Sequence, residues 1–122
     1  DLPLLYDFAK TLSPLVQKAD DGDRKKYHLA AVLVNNFSNH LYTLANDFCM
    51  GTQADFKLLL PLIQQLPLRL NEYPPKELQT GPAIRNDQVS ITTQLEMLND
   101  YPEIKNLYAL FTKSIQEYYN RK

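Results

Sequence analysis

The sequence predicts an all-α protein, a helical bundle of about five helices around one long helix. Three observations carry this reading. Residues 24–50 contain neither proline nor glycine, and Tyr27, Ala30, Ala31, Val34, Phe37, Leu41, Leu44, Ala45 and Phe48 recur among them at helical spacing. A second stripe at steps of three and four, Ile104, Leu107, Tyr108, Phe111, Ser114, Ile115 and Tyr118, predicts burial against another helix. Between the stripes, Gly51, Pro61 and Tyr73-Pro74-Pro75 stand where helices must end or bend.

In chain order, residues 4–12 read as a short helix with Leu5, Phe8 and Leu12 on one face, ended by Pro14. Residues 15–19 read as an extended segment or as helix continued past the proline. Asp20-Asp21-Gly22-Asp23 reads as a turn, with Asp21 or Asp23 placed to cap the next helix. That helix, over residues 24–50, would be about 40 Å long, and Gly51 stops it. Asp55 is placed to cap a third helix carrying Phe56, Leu59, Leu60, Leu62, Ile63 and Leu66, which Pro61 kinks or divides. After the Tyr73-Pro74-Pro75 break, a loop over residues 80–87 precedes a helix from about residue 88 to residue 98. Asp100 and Glu103, on either side of Pro102, read as the capping box of the last helix.

Composition narrows the function classes. A chain of 122 residues, 44% hydrophobic, buries one core and little more. Thirteen basic against fourteen acidic side chains leave a net charge of -1, so no global field draws the chain to nucleic acid or to an anionic membrane. The longest apolar run, residues 29–34, is far short of the roughly 20 residues that span a bilayer. Cys49 is alone and forms no internal disulfide. These features predict a soluble, cytoplasmic protein. A chain that opens at Asp1 without Met is expected to be part of something longer. Gly22, Gly51 and Gly81 are too far apart to build a dinucleotide or P-loop fingerprint.

Two segments carry chemistry. In Gln79-Thr80-Gly81-Pro82-Ala83-Ile84-Arg85-Asn86-Asp87-Gln88-Val89-Ser90, Gly81 permits a reversal of backbone sign, Pro82 fixes the next φ, and Asp87 can cap the helix that follows. Arg85 then stands at a helix mouth, where a guanidinium binds a carboxylate or phosphate through two hydrogen bonds. The alternative is an ion pair with Asp87 that holds the loop and binds nothing. On the long helix, His28, Ala31, Asn35, Asn39, Tyr42 and Asn46 follow at steps of three or four. Asparagines weaken a helix interior, so this stripe is either a ligand-facing edge or a solvated face or polar seam. Other patterns fail on spacing. His28 and His40, twelve residues apart and so about 18 Å along a helix, cannot share a metal. No CxxC, GxSxG or HExxH pattern occurs. Cys49 reads as core, and Tyr108, Tyr118 and Tyr119 read as packing.

The loop run, taken with Tyr27-His28-Leu29-Ala30-Ala31-Val32-Leu33-Val34-Asn35-Asn36-Phe37-Ser38-Asn39-His40, resembles the C-terminal helical domain of a Rossmann-like NAD(P)-dependent oxidoreductase family of uncharacterised substrate. That family is related to the helical halves of 6-phosphogluconate dehydrogenase, 3-hydroxyisobutyrate dehydrogenase and pyrroline-5-carboxylate reductase. The resemblance implies that residues 1–20 are the tail of a missing Rossmann-like domain or a linker. Residues 21–122 would form a helical substrate and dimerisation domain. NAD or NADP would bind through the missing N-terminal domain and not to this fragment, which would form a homodimer and take a small anionic substrate. Related dehydrogenases place a lysine four residues before an asparagine as the acid/base for the substrate hydroxyl. Aligned on Asn35, that position is Ala31, which cannot move a proton. His28, one turn earlier, is the catalytic candidate in its place, or else caps a polar seam. Asn35, Asn39 and Arg85 are then substrate-binding candidates, and Thr80, Gly81, Pro82 and Asp87 hold the loop. No metal ligand set is expected. A non-catalytic helical dimerisation or regulatory module is the alternative reading of the whole.

Overall fold

The structure, a computed structural model, describes residues 21–120. The readings of residues 1–20, including a helix at 4–12 and a Rossmann tail, lie outside the described residues. Every regular element among those described is helical, as the sequence predicts. α1 (Asp21–Ala31) passes through a π-helical turn (Val32–Asn36) directly into α2 (Phe37–Gly51). A 3-10 turn (Phe56–Leu59) opens α3 (Leu60–Arg69), a second 3-10 turn follows (Pro75–Leu78), and α4 (Gln88–Met97) and α5 (Pro102–Tyr119) complete the order. The chain divides into two compact units, Asp1–Ala45 and Asn46–Lys122.

In the first unit the helix is already formed at Asp21. Gly22 and Asp23 are therefore helical and not part of a turn, and Asp23 pairs with Lys26 at 3.7 Å one turn on instead of capping. Proline-free sequence and steady apolar spacing explain the helix, yet its apolar stripe stays largely uncovered. Ala31 and Leu44 are buried, while Tyr27, Val34, Phe37 and Leu41 are exposed, Val34 at 74%. The π turn also bends the register. The Phe37 N–H donates to the Val32 carbonyl, so Phe37, not Asn36, lies over Val32. The face that begins at His28 and Val32 thus continues into Phe37, and the polar residues of the helix do not run on as one straight stripe.

The second unit is built around Cys49, Leu78, Ala83, Ile91 and Leu98, all buried. Gly51 does not supply the left-handed residue that ends α2. Gln53 does, at φ 62°, and the Ala54 N–H closes onto the Cys49 carbonyl at 2.8 Å across it. Thr52 helps, its hydroxyl donating to the Phe48 carbonyl at 2.8 Å. Gly51 is needed for a different reason. A Cβ there would collide with the hydroxyl of Tyr101, whose ring packs edge-on against Phe48 with centroids 5.1 Å apart. Because a left-handed residue other than glycine costs roughly 1 kcal/mol, Gln53→Gly is expected to raise the unfolding free energy by about that amount, read by urea denaturation.

Pro61 neither kinks nor breaks a running helix. It occupies the first turn of α3, where its missing N–H is not needed, and Asp55 caps the preceding 3-10 turn by accepting from the Lys57 N–H at 3.0 Å. Pro67 lies inside α3. The expected capping box on α5 does not form. Pro102 takes the first helical position with its fixed φ, which makes Tyr101 the N-cap, with no side-chain cap bond. The α5 stripe packs only in part: Ile104, Leu107, Tyr108 and Ile115 are half-buried, and Phe111 and Tyr118 are exposed. α3 has no buried residue. Leu58 in the 3-10 turn before it and Leu62, Leu66 and Leu68 along it are 51–78% exposed, an unusual concentration of apolar surface. Among the described residues, no helix is long and apolar enough to cross a membrane.

Candidate functional site

The loop before α4 is held by its backbone. Gly81 adopts φ 105°, and nothing lies within 4 Å of where its Cβ would be, so the glycine serves conformation and not clearance. The Asp87 N–H donates to the Pro82 carbonyl at 2.9 Å, and the Asn86 N–H to the Ala83 carbonyl at 3.1 Å. Asn86 takes the left-handed conformation at φ 53°, which asparagine tolerates better than most residues. Buried Ala83 and Ile91 seat the loop and the start of α4 on the core. Upstream, the Tyr119 hydroxyl donates to the Lys76 carbonyl at 2.9 Å, fastening the 3-10 turn that carries buried Leu78.

Asp87 is the N-cap that the sequence predicts. Its carboxylate accepts from the Ser90 N–H at 3.1 Å and from the Ser90 hydroxyl at 2.7 Å. Those two bonds, the hydroxyl first, hold its pKa below the ordinary 3.8, and the Arg85 charge adds to them. Because the folded-state pKa is depressed, the cap contributes its full stability above the unfolded carboxylate pKa. That contribution is lost as pH falls through the folded value. Asp87→Ala is expected to lower the melting midpoint by about 5 °C at neutral pH. Below the ordinary carboxylate value of 3.8 the difference from the parent should shrink, which a pair of calorimetric scans would show.

Arg85 projects from this rigid loop and is exposed. Its charge reaches Asp87, but no salt bridge of contact length joins them. Behind the loop, the Tyr108 hydroxyl of α5 donates to the side-chain amide oxygen Oε1 of Gln94 on α4 at 2.6 Å. Burial first, then the Asp87 charge, pushes the Tyr108 pKa up. Ser90, Gln94 and Tyr108 were not singled out as partners of the loop by sequence reasoning. The Asp87-x-x-Ser90 spacing carried the signal for the first; a bond between residues fourteen apart on two helices left none for the others.

The remaining candidates lie in the other unit. His28, Asn35 and Asn39 are all exposed on the long helix, Asn35 within the π turn. The Asn39 carbonyl accepts from the Thr43 hydroxyl at 3.2 Å, one turn on. Ala31, which the resemblance aligns with a lysine of related dehydrogenases, is buried. The structure thus brings Thr80, Gly81, Pro82, Arg85 and Asp87 together in one loop and sets His28, Asn35 and Asn39 along one helix. Among the described residues, no three His, Cys, Asp or Glu side chains gather in a metal-binding group.

Residues 1–115 match the family described as a domain of unknown function, DUF2520. The chain belongs to this family. It is also similar to a Bacteroides fragilis protein of known crystal structure, described as a putative NADP oxidoreductase, with 44% identity and a TM-score of 0.77. The match covers 81% of this chain and 38% of that one, so the DUF2520 chain spans well under half of its relative's length. No curated protein matches it. The likeness shows that the two proteins share this helical domain. Its three glycines stand in three separate settings: Gly22 lies in α1, Gly51 is closed over by Tyr101, and Gly81 is in the loop before α4.

Proposed function

We propose that the DUF2520 chain is the helical substrate-binding and dimerisation module of an NAD(P)-dependent oxidoreductase. The similarity to the Bacteroides fragilis protein described as a putative NADP oxidoreductase, at 44% identity over 81% of the chain, is the observation that carries this reading. The dinucleotide would be held by another part of the full-length protein and would supply hydride chemistry there. The helical module contributes the substrate side. Arg85, on a loop fixed by Gly81, Pro82 and the Asp87 cap, binds the anionic group of a small substrate. Asn35 and Asn39 offer amide donors and acceptors, and the His28 imidazole is the candidate proton-transfer group. Two copies associate through the uncovered apolar faces.

A second reading, a non-catalytic dimerisation or regulatory module, draws support from buried Ala31 in the place of a catalytic lysine. Thermal-shift measurements on the full-length protein separate the two. Saturable stabilisation by NADP or NAD, with turnover of a hydroxy acid or imine substrate lost in His28→Gln, fits the first. Absence of any dinucleotide response fits the second.

A further inference from the structure

We draw no further inference here: the strongest candidate, the exposed apolar patch of Leu58, Leu62, Leu66 and Leu68 on α3 and the 3-10 turn before it, belongs to the surface already proposed for self-association, and nothing in the structure shows what else covers it.

Discussion

Gly51→Ala is expected to destabilise the DUF2520 chain by about 2 kcal/mol, within the range for overpacking a filled position. The added Cβ meets the Tyr101 hydroxyl inside van der Waals contact, with the ring carbon behind it at 3.2 Å. Tyr101 has little freedom to retreat, because its ring rests on Phe48 and its backbone forms the N-cap of α5. Helix propensity works the other way, since alanine is favoured over glycine in a helix by up to about 1 kcal/mol. The steric term wins because the clash is with a ring anchored at both ends. Removing the hydroxyl should reverse part of the loss. Tyr101→Phe in the Gly51→Ala background should recover about 1 kcal/mol, a coupling that a double-mutant cycle in urea measures directly. Additive effects of the two changes would mean that Tyr101 moves aside freely.

Self-association is the second large effect. Leu58, Leu62, Leu66 and Leu68 each keep half or more of their surface in water. Burying half a leucine contributes about 1 kcal/mol, so four from each of two copies give about 8 kcal/mol, inside the range of the association cost and short of a surplus over its upper part. The exposed faces at Tyr27, Val34, Phe37 and Leu41 must contribute as well. The full-length protein is therefore expected to scatter light as a dimer at micromolar concentration. Leu62→Glu with Leu66→Glu should shift it to the monomer without unfolding it, since α3 has no buried residue to lose. A one-chain mass for the parent protein would remove the dimerisation role. A dimer that survives both glutamates would place the contact elsewhere.

The parts of this fold that were legible in the sequence are those set by neighbours a few residues apart. Asp55 and Asp87 cap the turns that follow them because a carboxylate reaches an N–H two or three residues on, a relation that spacing alone displays. The long helix was legible because nothing between residues 24 and 50 interrupts it. What was misread depended on competition or distance. Asp100 and Glu103 have capping-box spacing, yet Pro102 between them fixes the backbone and moves the cap to Tyr101. The long helix does end at Gly51 as read, but distance hid the reason for the glycine: Tyr101, fifty positions later, excludes a Cβ there, and Gln53 takes the left-handed turn. The π turn at Val32–Asn36 left no pattern to read, and it alone displaced the polar stripe. For the candidate site, the loop from Gly81 to Asp87 was readable from its own residues, whereas the Tyr108 and Gln94 pair behind it was not.

The central claim is that this helical module holds the anionic group of the substrate through Arg85. The most direct measurement is ligand-induced stabilisation of the full-length protein, saturated with NADP, by a panel of small carboxylates and phosphates, compared with Arg85→Ala. The account predicts that at least one anion raises the melting midpoint of the parent. It predicts that Arg85→Ala abolishes this shift while its own unfolding free energy stays within about 0.5 kcal/mol of the parent, as for an exposed side chain outside a packing network. If Arg85→Ala instead unfolds more easily by several kcal/mol, or keeps the full ligand shift, the guanidinium serves the loop and not the substrate, and the claim is contradicted.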